Sequence, residues 1–205
     1  ARLRRVREIE RLRIRIASDL HDDIGSTLTR ITMHSQQIEG SGDSGRIRDA
    51  AGKIGELSRN VISTMSDVVW SIDARNDKLG DLLARMQDFS HNTLSDNNIQ
   101  VQFNHDGIDR DLKIPPQLRQ NVYYIFKEAV NNALKYSGAD LLKIDLQNGS
   151  RFLLRIKDNG KGFDPEASYR GNGLKNIRMR AGQIAAELSI DGSEGTEIVL
   201  KMNAL

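Results

Sequence analysis

The first forty residues repeat one pattern. Apolar side chains fall at Leu3, Val6, Ile9, Leu12, Ile16, Leu20, Ile24, Leu28 and Ile31, in steps of three and four. That period puts them on one stripe of an α-helix. No proline interrupts residues 1–39, and a helix of that length spans roughly 55 Å at 1.5 Å per residue. Such a helix needs a partner along its stripe to be stable in water. Gly40-Ser41-Gly42-Asp43-Ser44-Gly45 is a turn signal. A second stripe follows from about Arg46 to Ile72, through Ile47, Ile54, Leu57, Val61, Met65, Val68 and Val69. Two long amphipathic helices joined by a short turn predict an antiparallel hairpin. A hairpin buries only part of two stripes, so pairing of two copies into a four-helix bundle is the expected completion.

Asp73-Ala74-Arg75-Asn76-Asp77 breaks the pattern, and the texture changes after it. A shorter helix is predicted from Leu79 to about Leu94. Ile99 to Phe103 alternates as a strand. Pro115-Pro116 opens a helix to about Tyr136, proline being suited to a first turn. Strands are expected at Leu141–Leu146 and Phe152–Lys157, a helix from Gly173 to about Ala186, and two closing strands near 187–191 and 195–202. The fold class is therefore α+β: a helical hairpin over 1–75, then an α/β domain over 76–205. No internal repeat or low-complexity tract is present.

Composition narrows the picture. A net charge of +2 across 205 residues argues against nucleic acid as a partner. The absence of cysteine excludes a disulfide framework and thiolate metal sites, and fits a reducing compartment. No apolar run approaches the ~18 residues that cross a bilayer. The arginine-rich start is followed by no apolar signal-peptide segment. The chain begins with Ala1 rather than Met, as expected of a piece of a longer protein.

Three segments of the second half carry candidate chemistry. Glu128, Asn132 and Lys135 stand at i, i+4 and i+7 of a helix, so all three point to one side. A carboxylate, an amide oxygen and an ammonium on one stripe suit a hydrated Mg²⁺ and the phosphates attached to it; they equally suit a solvated polar face. Asp158-Asn159-Gly160-Lys161-Gly162 follows a strand. A carboxylate there can accept from an exocyclic amine such as adenine's, and glycines let backbone approach a ligand, although Asn-Gly is also an ordinary turn. Gly171-Asn172-Gly173-Leu174 opens a helix whose N–H groups attract phosphate, or simply eases the helix start. It is neither a Walker A loop nor a dinucleotide-binding fingerprint.

In order and spacing, these three segments resemble the N, G1 and G2 boxes of the Bergerat ATP-binding fold shared by histidine kinases, Hsp90-type chaperones, gyrase and MutL. The resemblance covers roughly residues 79–205, and Gly195-Thr196 is similar to that fold's final nucleotide-contacting turn. It implies that Asn132 ligates Mg²⁺ and that Glu128 orients the metal's water or acts as a base. It also implies that Lys135 meets phosphate, that Asp158 binds the adenine amine beside Gly160 and Gly162, and that Thr196 supports that contact. Gly171, Gly173 and Leu174 complete the expected ATP site. Tyr136 stands where relatives often carry His.

Arg15-Ile16-Ala17-Ser18-Asp19-Leu20-His21-Asp22-Asp23-Ile24-Gly25 resembles the H box of the sensor histidine kinases that include the nitrate sensors. His21 lies one residue, about 100° of helix, past the core position Leu20, which puts it on the flank of a bundle. The resemblance implies that His21 takes the γ-phosphoryl group of ATP, with Asp22 holding the imidazole. The group then passes to an aspartate of a response regulator. The expected protein is thus a homodimeric, ATP- and Mg²⁺-dependent kinase of two-component signalling. It would be a cytoplasmic piece of a membrane-anchored sensor, reaching the membrane only through a missing N-terminal region. A nonenzymatic nucleotide-sensing scaffold, an ATP-gated clamp and a serine kinase share the ATP fold but leave the His21 segment unexplained.

Relatives carry Gln five residues after the histidine, where it positions water for dephosphorylation of the regulator; here the residue is Ser26. Phosphatase activity toward a phospho-regulator is expected to be weak or to use other residues. Robust dephosphorylation that disappears in Ser26→Ala would contradict this.

Overall fold

A computed structural model of the protein describes residues 24–164 and 172–205. Expectations placed on residues 1–23, His21 and Asp22 among them, and on Gly171 lie outside the described residues. The chain divides into two compact units between Asp73 and Ala74.

In the first unit, helix α1 covers residues 24–39 and helix α2 runs Ser44–Ile72. α2 starts two residues earlier than its apolar pattern suggests, because Asp43 caps it. The Asp43 Oδ1 accepts from the Gly45 N–H at 2.8 Å, and its carbonyl accepts from the Ile47 N–H at 3.0 Å. Ala50, Leu57 and Val68 are buried, whereas Ile62 and Val69 stay more than 60% exposed, with Met33 and Met65 about half exposed. A single chain therefore leaves part of its apolar stripe in water.

The second unit is two-layered. After a 3₁₀ turn (Ala74–Asn76) come α3 (Leu79–Leu94), β1 (Gln100–Asn104), α4 (Pro116–Asn132), β2 (Leu141–Asn148), β3 (Arg151–Asp158), α5 (Gly173–Gln183), β4 (Glu187–Asp191) and β5 (Glu197–Asn203). The sheet order is β1-β2-β3-β5-β4, with β1 parallel to β2 and every other pair antiparallel. Alternation decides the faces. Leu142, Ile144 and Leu146 of β2, Phe152, Leu154 and Ile156 of β3, and Ile198 and Leu200 of β5 are buried. Lys143 and Arg155 between them are exposed, whereas Val199, between Ile198 and Leu200, is also buried. The inward side chains pack with the buried faces of α3, α4 and α5. There Phe126 of α4 meets Phe89 and Phe103 edge-on, with ring centroids 6.2 and 6.5 Å apart.

The segment between β1 and α4 carries no periodic pattern, yet it is stitched to the start of α3. Leu79 N–H donates to Leu112, Gly80 N–H to Arg110 and Ile114 N–H to Asp77, each at 2.8 Å. Two ion pairs flank this ladder, Lys78–Asp111 at 2.7 Å and Lys113–Asp77 at 2.9 Å. Their ammonium groups hold both carboxyls below the ordinary carboxylate value. These pairs are solvent-exposed and contribute little. The anchor is Leu79, fully buried under the ladder. Leu79→Ala is expected to cost about 2–5 kcal/mol, read as a lower urea midpoint at unchanged slope.

Candidate functional site

Three elements build the site: the C-terminal end of α4, the turn after β3 and the first turn of α5. α4 does not continue as an α-helix to Tyr136. It ends at Asn132 and widens into a π turn over Ala133–Ser137, closed by Gly138 in the left-handed conformation. The π turn begins between Asn132 and Lys135, so the three polar residues do not lie on one straight α-helical face. Glu128 and Asn132 are half-buried; Lys135 is exposed, as is Tyr136 at 65%.

Glu128 and Asn132 face the start of α5. Gly173 fits there because it has no side chain: a Cβ would strike the Glu128 carboxylate, whose Cδ would lie 3.2 Å away, with the Asn132 amide nitrogen at 3.6 Å. The Asn172 side chain makes no capping hydrogen bond, so capping leaves the first-turn N–H groups of α5 without that partner. Leu174 is half-buried in the same turn.

The second cluster forms around Asp158. Period-2 alternation along β3 turns Phe152, Leu154, Ile156 and then Asp158 inward, and Asp158 is 3% exposed. Its Oδ1 accepts from the N–H of Gly160 at 2.9 Å and of Thr196 at 3.0 Å. Among the described residues no donor is seen on Oδ2, which leaves that oxygen available to an outside amine. The surrounding backbone is packed too closely for side chains. Gly195 has φ +75° and lies against Asp158; Gly162 has φ +67° and lies against Gly192. Thr196 contributes its backbone N–H to this network.

Ser137 joins the two clusters and escaped sequence reasoning. It is buried; its hydroxyl donates to the Ala133 carbonyl at 2.6 Å and accepts from the Ala139 N–H at 3.0 Å. Its carbonyl accepts from the Lys161 N–H at 3.0 Å, and Gly160 lies against it. A small polar residue before a helix-ending glycine was the available signal. Asn159 was missed similarly. It accepts from the Leu141 N–H at 3.0 Å and donates to the Asp140 carboxylate at 2.7 Å, pinning the site loop to the start of β2. Gly192, whose carbonyl accepts from the Phe163 N–H at 3.0 Å, backs the same loop.

The structure thus brings together Glu128, Asn132 and Gly173, and separately Asp158, Gly160, Gly162 and Thr196. It makes no hydrogen bond from Lys135 to either group. Among the described residues no three His, Cys, Asp or Glu side chains converge as a metal cage. Two oxygen-bearing side chains beside an open helix start suit a Mg²⁺ that keeps water and takes most of its ligands from phosphates. Among those residues, too, no helix is long and apolar enough to cross a membrane.

Comparison with known proteins agrees with this architecture. The family model described as "Histidine kinase" matches residues 13–77, and that of the "Histidine kinase-, DNA gyrase B-, and HSP90-like ATPase" matches residues 117–204. Sensor histidine kinase YvfT of Bacillus subtilis is 30% identical over 191 residues, covering 92% of this chain and 49% of the relative. The histidine-protein kinase/phosphatase DegS of the same organism is 29% identical, covering 98% and 55%. The chain therefore spans about half the length of the curated relatives it matches. In fold it resembles the Acinetobacter baumannii histidine kinase AdeS (TM-score 0.58, 15% identity, 90% of this chain and 98% of that one). It also resembles the kinase domain of the Erythrobacter litoralis EL346 blue-light activated histidine kinase (TM-score 0.54, 20% identity, 92% and 94%).

The chain belongs to the histidine kinases, with that family's kinase region over residues 13–77 and its ATPase region over residues 117–204.

The left-handed backbone at Gly195, pressed on Asp158, makes this glycine irreplaceable. Gly195→Ala is expected to lower stability by about 1–3 kcal/mol, measured by thermal or urea unfolding; a neutral result would remove the close packing from the account of the site.

Proposed function

We propose that this chain binds Mg·ATP in the unit after Ala74 and transfers the γ-phosphoryl group to its own His21. The observation that carries this reading is the cluster at Asp158. A buried carboxylate spends one oxygen on two backbone N–H groups and keeps the other for an exocyclic amine, which suits adenine. Glu128 and Asn132, one helical turn apart beside the start of α5, are the groups suited to the other end of the nucleotide. Asn132 would be a ligand of Mg²⁺, with Glu128 orienting its water or acting as base. Bound there, the metal would offset phosphate charge. The N–H groups of Gly173 and Leu174 would meet the phosphate oxygens; the family resemblance adds Gly171 to the same set. Lys135, exposed on the π turn, is free to swing toward phosphate.

At the acceptor, a neutral imidazole nitrogen of His21 attacks the γ-phosphorus. The bond from that phosphorus to the β–γ bridging oxygen breaks, ADP departs, and the ring proton on the other nitrogen is held by Asp22, which stabilises the developing positive charge. Catalysis is then chiefly positioning and electrostatics. We infer further that two copies pair through apolar residues of α1 and α2 that one chain leaves exposed, Ile62 and Val69 foremost. The phosphoryl group would then pass to an aspartate of a response regulator. Residues 1–75 would be the dimerisation and phosphoacceptor domain and residues 76–205 the ATP-binding domain of a longer sensor.

Incubation with γ-labelled ATP and Mg²⁺ tests the reading. Acid-labile, alkali-stable label is expected on the chain and should fall at least a hundredfold in His21→Gln and in Asn132→Asp. ATP binding without label would favour the scaffold or clamp. Label surviving in His21→Gln would mean a different acceptor.

A further inference from the structure

The start of α5 has to sit accurately beside Asn132 if its N–H groups are to meet phosphate. Asn172 adds no side-chain cap to hold it there. The contact of α5 with α4 contributes to its position. The two helices run antiparallel: Gly173 lies against Glu128 and Asn132, Arg180 against Tyr124, and Gln183 beside Gln117. Between these points Ile177 and Ala181 are buried at 0% and 2% exposure. Apolar contact of that kind holds helices together but is not directional. Two directional contacts cross it: the Gln117 amide donates to the Gln183 carbonyl at 3.2 Å, at the far end, and the Arg180 guanidinium carbon lies 4.3 Å from the centroid of the Tyr124 ring.

We propose that Tyr124 and Arg180 are a positioning pair that sets the register of α5 on α4, and with it the place of the α5 first turn relative to Asn132. The inference rests on the nucleotide reading above and extends it. Arg180 lies seven residues beyond Gly173, about 10 Å along the helix axis, so the pair acts through the helix and not by touching phosphate. A guanidinium over an aromatic face at this distance is a strong geometry for cation–π attraction. Loss of the ring or of the guanidinium should let α5 shift. The phosphate end of the site would then suffer while the Asp158 end, built from β3 and the turn before β5, would not.

The test measures adenosine, ADP and ATP binding to the 205-residue chain by calorimetry. Tyr124→Leu and Arg180→Met are each expected to weaken ADP and ATP about fivefold, equivalent to about 1 kcal/mol, and to leave adenosine within twofold. Tyr124→Phe, which keeps the ring, is expected to retain ADP and ATP binding better than Tyr124→Leu. The double variant should be no weaker than either single one, because the second change removes nothing further. Tyr124→Leu leaves the charge of Arg180 in place, so an equal loss in both variants excludes a simple long-range attraction of Arg180 for phosphate. Should Arg180→Met not fold, Arg180→Lys keeps the charge without the flat guanidinium and is expected to weaken ADP with adenosine unchanged. Parallel loss of adenosine and ADP in folded variants, unchanged ADP, or a double variant weakened about 25-fold would overturn the pair. A parent chain that binds none of the three ligands would instead overturn the nucleotide reading itself, and the pair with it.

Discussion

Burial of the Asp158 carboxylate constrains nearly everything around it. Taking a carboxylate out of water is costly unless hydrogen bonds compensate, and here two backbone N–H groups from different segments do so. Gly160 supplies one from the loop after β3 and Thr196 the other from the turn before β5. For both to converge on one oxygen, the chain must approach itself closely, which is why Gly195 lies against Asp158 with φ +75° and why Gly160 lies against Ser137. The glycines here follow from that convergence. They are places where backbone must come within contact of backbone.

Ser137 extends the constraint from the sheet to the helices. Its hydroxyl closes the π turn, and its carbonyl takes the Lys161 N–H. The end of α4 is thereby tied to the loop that carries Gly160 and Gly162. The widened turn starts after Asn132, so Glu128 and Asn132 remain on regular helix facing α5 while Lys135 departs into solvent. α5 then packs side-on against α4, with its first turn beside Glu128 and Asn132.

The chain's division between Asp73 and Ala74 separates the proposed acceptor from the proposed nucleotide site in sequence. Membership of the histidine kinase family accounts for both halves: one family region covers residues 13–77, crossing the division by four residues, and the other residues 117–204. The uncovered apolar residues of α1 and α2, Ile62 and Val69 foremost, suit a unit completed by a second copy. The sheet of the other unit buries its apolar face within one chain.

Much of this was readable in the residues. Periods of 3.6 and 2 marked helices and strands, because burial on one side imposes them locally. Glu128, Asn132, Asp158, Gly160, Gly162, Gly173 and Thr196 stood in an order that resembled an ATP-binding fold. The sequence placed Asp158 directly after a strand; the structure extended β3 to include it and turned it inward. Boundaries were less legible. α2 begins at Ser44 because Asp43 caps it, and α4 yields to a π turn because Ser137 and Gly138 close it. Those outcomes depend on hydrogen bonds that no periodicity reports. Only the tertiary structure decided which groups meet. It brought Gly173 against Glu128, Thr196 onto Asp158 across 38 residues, Arg180 onto Tyr124, and Leu79 under the ladder from Leu112. The physical reason is that pattern encodes which face of an element is buried. The partner across that face is set by how whole elements pack, and packing is a property of the assembled chain.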